Sequence, residues 1–337
     1  MSNYIDESFP IKEFQNSLID WFRREKRDLP WRRVKDPYSI WVSEIMLQQT
    51  KVDTVIPYFY RFMQKFPTAE ALAAADEQEV LKAWEGLGYY SRARNLQSAV
   101  REVVEQYGGQ VPNDPKTLGS LKGVGPYTKG AILSIAFNKP EPAVDGNVMR
   151  VFSRVFNIQE DIAKPKTRKT FEEVVRRVIS VEDPSSFNQG IMEIGALVCK
   201  PKNPDCLLCP LCPFCKAFEL GIENTLPVKT KGKTNKTEKY VVLLLKDDKN
   251  RILVQQRPEK GLLANLWVFP MISIEKLDVK AIPETFFNEY GIKIDVKENI
   301  TEVKHVFSHL TWELHAFSAT VTSGQLKDPN AKFISKD

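Results

Sequence analysis

Apolar residues recur every three or four positions through the first two thirds of the chain. Ile11, Phe14, Leu18, Trp21 and Phe22 form one stripe, and Val52, Val55, Ile56, Phe59 and Met63 form a second. Leu96, Val100, Val103 and Tyr107 form a third, and Phe171, Val174, Val175 and Val178 a fourth. That period places each set on one face of an α-helix. Prolines at 30, 37, 67, 112, 115, 126 and 184 fall between the stripes, where a residue without an N–H ends one helix or opens the next. Past about residue 225 the texture changes. Residues 226–239 hold five lysines against one glutamate and hardly any apolar side chain, which predicts a flexible linker passing near phosphates. Beyond it, Tyr240–Lys246, Arg251–Gln256, Val303–Phe307 and Trp312–Phe317 read as strands, interrupted by a helix over Ala281–Tyr290. The pattern predicts a multidomain chain: an all-α domain over 1–225, a linker over 226–239 and a smaller α+β domain over 240–337.

Composition narrows the class. At 337 residues, 42% hydrophobic and 27% charged, the chain has the composition of globular domains with real cores, and disorder is excluded. A net charge of +5 is too weak to argue for nucleic acid alone. No apolar run approaches the ~18 residues of a membrane span, and no secretory signal precedes Asp6 and Glu7, so a cytosolic, reducing setting is expected. The five cysteines all fall within 199–215, at Cys199, Cys206, Cys209, Cys212 and Cys215, among prolines that force a compact loop. A disulfide framework would scatter them; four thiolates so spaced hold either zinc or an iron–sulfur cluster.

Three segments carry candidate chemistry. In Leu121–Ala131 a turn with Gly123, Val124 and Gly125 opens onto a helical run, an arrangement that suits either an anion cradle or a plain tight turn. It lacks the lysine–serine pair of a nucleotide-triphosphate loop. Asp145 stands before Gly146 at the start of another apolar-periodic run, the position of a helix cap. Glu44 has Ile40, Trp41 and Leu47 as helical neighbours, and a carboxyl desolvated on that face has a raised pKa suited to a general acid.

Taken together, the glycine hairpin, an aspartate about twenty residues on and the cysteine loop resemble the helix-hairpin-helix DNA glycosylase superfamily. Leu-Pro-Trp-Arg at 29–32, Ser-Glu-Ile-Met-Leu-Gln-Gln-Thr at 43–50 and Leu-Gly-Tyr-Tyr-Ser-Arg-Ala-Arg-Asn-Leu at 87–96 narrow this to the MutY-type adenine DNA glycosylases, over about residues 10–320. The resemblance implies monofunctional excision of adenine opposite 8-oxoguanine or guanine in double-stranded DNA, by a bacterial cytoplasmic monomer that reaches the nucleoid through DNA and has no membrane role. Glu44 would protonate the purine and Asp145 would stabilise the sugar cation or its adduct, with Tyr127 and Asn147 orienting Asp145 and the glutamate's water. Arg27, Leu29, Trp31 and Arg32 match the base pocket. Gln49 and Tyr89 match residues that wedge into the duplex, and Thr50 and Leu87 belong to the same DNA-contacting motifs. The family's cysteine pattern selects Cys199, Cys206, Cys209 and Cys215 for a [4Fe–4S] cluster and leaves out Cys212.

Two relatives are weighed against this reading. Endonuclease-III-type glycosylase/lyases place a Schiff-base lysine where this chain has Tyr127. The segment Gly261–Pro270 resembles Nudix domains, yet Glu284–Ile292 retains only Glu289 of the metal carboxylates, so pyrophosphate hydrolysis is not expected. A reader of 8-oxoguanine through Phe307, Ser308 and His309, on the strand run Lys304–Leu310, is expected instead. A non-catalytic lesion binder is opposed by the presence of both Glu44 and Asp145. Such C-terminal domains usually close with a helix that is missing before Asp337, which suggests a truncated chain.

Overall fold

The computed structural model describes residues 4–230, 235–275, 278–307 and 310–335. Two compact units divide the chain, Met1–Thr230 and Lys231–Asp337.

The first unit is helical. The helix Ile11–Glu25 buries Phe14, Leu18, Trp21 and Phe22 against the helix Pro184–Leu197. Close approach needs Gly190 there, because a Cβ would stand 3.0 Å from Leu18 Cδ1. Around this contact Phe14, Phe152, Phe156 and Phe187 build a core that continues to the cysteine loop, with Cys199, Cys209 and Cys215 packed on its margin. The helix Pro37–Leu47 is buried on all sides from Tyr38 to Met46. Its start is fixed by Asp36, whose carboxylate accepts from the Ser39 N–H at 2.7 Å and the Ser39 hydroxyl at 2.6 Å. The helices Pro115–Ser120 and Pro126–Phe137 form the hairpin. Gly123 makes its turn with φ +80°, and a Cβ there would also meet Asn95 Cβ at 2.9 Å. The helix Gly146–Val155 begins on Asp145.

The second unit is a seven-stranded mixed sheet. Its strands are β1 (Lys236–Lys246), β2 (Ile252–Gln256), β3 (Trp267–Val268), β4 (Met271–Ile274), β5 (Ile292–Val306), β6 (Leu310–Gly324) and β7 (Ala331–Ile334). They run in the order β3-β2-β1-β6-β5, with β4 beside β1 and β7 beside β2. Pairing of β1 with β6 is parallel, and the other pairs are antiparallel. The helix Ile282–Tyr290 covers the apolar face with Ile282, Phe286 and Tyr290.

Several elements depart from the sequence pattern. β1 takes in Lys236–Lys239, the last residues of the expected linker. At the other end of that linker Leu226 is buried, its carbonyl accepts from Arg154 Nε at 3.0 Å, and Val228 O accepts from the Ile162 N–H at 3.0 Å. β5 starts eleven residues before the expected Val303; its first residues, Ile292–Val296, alternate buried and exposed, and the strand then continues exposed through to Val306. The expected strand run Lys304–Leu310 is not one strand: β5 ends at Val306, β6 begins at Leu310, and the Phe307 N–H donates to Leu310 O at 2.7 Å. Ser308 and His309 lie outside the described residues.

Candidate active site

Glu44 is the one charged residue of an otherwise buried helix and is 5% exposed. The Tyr127 hydroxyl donates to its Oε2 at 2.6 Å, from the first turn of the helix that follows the glycine hairpin. Burial pushes the Glu44 carboxyl up to about 7, and the charge of Asp145 adds to it; the bond from Tyr127 and the charge of Arg32 work the other way. Burial, with the two carboxylates beside it, also raises the Tyr127 phenol, which therefore stays a donor.

Asp145 accepts from the Val148 N–H at 2.7 Å as a helix cap and from Asn147 Nδ2 at 2.9 Å. Burial pushes its carboxyl up, opposed by those two bonds and by the charge of Arg150. Asn147 is held in turn by Arg150, whose Nη2 donates to Asn147 Oδ1 at 2.9 Å and to Gly195 O at 2.7 Å. A Cβ on Gly195 would stand 2.6 Å from Asn147 Cβ, so that glycine makes room for the asparagine. The two residues expected to orient Asp145 and the glutamate's water are thus divided between the carboxyls. Tyr127 serves Glu44, and Asn147 serves Asp145.

Both carboxyls line a cleft of about 250 Å³ together with Arg27, Leu29, Trp31, Arg32, Thr50, Tyr127 and Asn147. An adjoining hollow brings Gln49, Gly123 and Gly125 beside Tyr127 and Asp145. Val124 and Leu87 are buried instead, so those two side chains serve the core. Tyr89 is 49% exposed on the loop before the helix Ser91–Tyr107. Phe307 belongs to the other unit, where its ring meets Trp312 at 5.1 Å and Asn235 Nδ2 donates to its carbonyl at 2.8 Å.

Glu193, which the sequence reading missed, also lines the cleft and is 1% exposed. Arg27 donates to it through Nε and Nη2, each at 2.9 Å, and Arg32 through Nη1 at 3.1 Å and Nη2 at 2.9 Å. Burial drives this carboxyl upward, but the bonds from Arg27 and then Arg32 hold it down at about 2. A signal was available: Glu193 sits between Met192 and Ile194, with Ile191 just before, in the apolar half of its helix.

All five cysteines line one cavity at the end of the same unit. Burial raises Cys209 to about 12 and Cys215 to about 11, and Cys199 and Cys206 act on both by charge. Cys212 bears on Cys206 and on neither of the other two. Arg154 Nη1 donates to Cys199 Sγ at 3.1 Å. Among the described residues no three donors gather as they would around a single ion. In the second unit Glu289 is exposed on the helix Ile282–Tyr290, with Asp328 near enough to raise its pKa after burial has done so.

Residues 42–177 match the HhH-GPD superfamily of base excision DNA repair proteins, and residues 240–337 match the NUDIX domain. The adenine DNA glycosylase of Mus musculus is 34% identical over 96% of this chain and 74% of its own length. That of Homo sapiens is 36% identical over 91% of this chain and 67% of its own. That of Buchnera aphidicola subsp. Schizaphis graminum is 35% identical over 89% of this chain and 86% of its own. Among solved structures, a thermostable thymine-DNA glycosylase superposes with a TM-score of 0.57 at 29% identity, over 62% of this chain and 97% of its own. An endonuclease III trapped on DNA gives 0.53 at 24% identity, over 63% of this chain and 97% of its own, which speaks to the fold. Among the described residues no helix is long and apolar enough to cross a membrane.

Proposed function

Since the chain belongs to the adenine DNA glycosylases, base-excision repair enzymes of the HhH-GPD superfamily that act on DNA, we propose that it hydrolyses the N-glycosidic bond of adenine mispaired with 8-oxoguanine or guanine, without a lyase step. The observation that carries this reading is a buried carboxyl poised at about 7, Glu44, in one cleft with a second, hydrogen-bonded carboxyl, Asp145.

The adenine is extruded from the stack into the cleft. Neutral Glu44 gives its proton to a ring nitrogen of the purine, so that the electron pair of the breaking C1′–N9 bond leaves on a neutral base. Asp145, kept anionic by two N–H donors, faces the positive charge left on the sugar. Water then adds to C1′, its surplus proton returning to a carboxylate, and leaves an abasic site. Tyr127 holds the acid in place. It also occupies the position where a lyase carries its lysine, and its bond to Glu44 gives that position a different task. The ion-paired Glu193, with Arg27 and Arg32, forms the polar wall of the base pocket.

The cysteines line one cavity, and four thiolates are the donor set that an iron–sulfur cluster takes. Cys199, Cys206, Cys209 and Cys215 would hold a [4Fe–4S] cluster, which fixes the loop as a structural element. Arg154 would neutralise part of the thiolate charge. The sheet unit reads 8-oxoguanine through Phe307, Ser308 and His309 and is not a hydrolase. The support is a helix Ile282–Tyr290 whose only carboxylates are Glu284 and Glu289.

The test is single-turnover excision on duplexes with adenine opposite 8-oxoguanine and opposite guanine, with strand cleavage only after hot alkali. Glu44→Gln keeps the shape and removes the proton. Excision should collapse while duplex binding survives, and near-normal excision by this variant would overturn the assignment.

A further inference from the structure

Arg92 is 9% exposed and has no carboxylate partner among the described residues. Burial lowers its pKa to about 10. A cation in that situation needs a compensating set of acceptors, and this one takes them from two separate loops. Nη1 donates to Ile45 O at 2.9 Å, to Met46 O at 3.0 Å and to Gln48 O, the last carbonyls of the helix that carries Glu44. Nη2 donates to Leu87 O at 3.0 Å and Gly88 O at 3.1 Å, and lies 3.4 Å from Thr50 Oγ1. The guanidinium lies 5.4 Å from the Trp84 ring centroid and 5.5 Å from that of Tyr89.

Each loop carries, next to its clamped carbonyl, a residue other than glycine in the left-handed region: Gln49 at φ +60° and Tyr89 at φ +48°. Side chains rarely adopt that backbone unless their surroundings enforce it. Both residues are exposed. One guanidinium therefore holds two strained, outward-facing residues in register with each other and with the helix of the acid.

We propose that Arg92 is a positioning residue that fastens the 47–50 and 87–90 loops into one wedge, so that Gln49 and Tyr89 enter the duplex as a single unit. The proposal rests on the reading above, in which adenine is extruded as those two side chains insert. Lysine in place of arginine keeps the charge but has no planar fork to span both loops.

The experiment uses the full chain and a duplex with 2-aminopurine replacing the target adenine opposite 8-oxoguanine, so that stopped-flow fluorescence follows extrusion. Gln49→Ala and Tyr89→Ala should each slow it, and the double variant should be no slower than the worse single, a coupling of about tenfold. Arg92→Lys alone should slow extrusion about tenfold, leave the pH profile of excision in place, and abolish the coupling between the two alanine changes. A merely structural arginine would lower the melting temperature without touching that coupling. Independent, multiplying effects of Gln49→Ala and Tyr89→Ala in the Arg92 protein overturn the proposal even if Arg92→Lys fails to fold. Wild-type extrusion by Arg92→Lys overturns it as well. If neither alanine change slows extrusion, the insertion reading itself has failed, and the proposal with it.

Discussion

Replacing Glu193 by glutamine should destabilise the helical unit by an amount the ion-pair geometry sets. The variant keeps the shape of the side chain, but it removes the charge and turns an N–H₂ toward two guanidiniums that now converge on the carboxylate from 2.9 to 3.1 Å. Holding a buried carboxyl at about 2 rather than 4.5 corresponds to about 3 kcal/mol of preference for its ionised folded form. Breaking one partner of a buried pair costs about 3–5 kcal/mol in general, which agrees. For a unit of this size each kcal/mol moves the midpoint by about 2–4 °C, so Glu193→Gln should melt about 6–12 °C lower at pH 7. The pH dependence fixes the cause. A carboxyl with a depressed folded pKa contributes stability above its unfolded value of 4.5 and loses it as pH falls toward 2. The gap between wild type and variant should therefore close over that window in a calorimetric series. An unchanged midpoint at pH 7, or a gap that persists at pH 2.5, would refute the reasoning.

Excision should follow a bell-shaped pH profile, with a limb near pH 7 where Glu44 loses its proton and an acidic limb where Asp145 gains one. Tyr127→Phe removes a bond that lowers the Glu44 pKa, so single-turnover profiles should show the upper limb displaced to higher pH; a downward move would contradict the assignment. Asp145→Asn should reduce excision by orders of magnitude in the same assay, and parity with wild type would remove it from the mechanism. Cys199→Ser should bleach the broad visible absorption of the purified protein while Cys212→Ser leaves it; the reverse pattern would select 206, 209, 212 and 215 as ligands. Ending the chain after Thr230, or changing Ser308 and His309 to alanine in the full chain, should erode the preference for 8-oxoguanine over guanine, and an unchanged ratio would refute the reader role.

The helical unit was legible because its signals are local. A three-to-four period, prolines at helix starts and a cap at Asp145 each act within a few residues of themselves. The setting of Glu44 could be read from Ile40, Trp41 and Leu47 for the same reason. Glu193 and Arg92 were harder. The partners of Glu193 lie more than 160 positions away in sequence, and Arg92 joins carbonyls four and five residues back to others more than 40 residues away. Which carboxyl Tyr127 bonds to was not legible locally, since the chain path brings Glu44 to it from 83 residues away. In the sheet unit the inner strands showed themselves, while β5 was read only from Val303. Its first residues alternate, but the exposed stretch between them and Val303 carries no alternation to join the two.

Glu44, the proposed acid, sits on a helix that is itself part of the core, and on that proposal the working pH of the enzyme is tied to the quality of its packing. Exclusion of water is the largest influence keeping the Glu44 proton on near neutrality, with the charge of Asp145 adding to it and the bond from Tyr127 acting in the opposite sense. A void opened at Ile40, Trp41 or Ile45, wide enough to admit water, would let the carboxyl relax toward 4.5 and ionise. Such a protein would still fold, bind duplex and present every catalytic side chain, yet be silent at pH 7 and recover in mild acid. Substitutions several ångströms from the chemistry can thus imitate loss of the catalytic group, and only a titration tells the two apart.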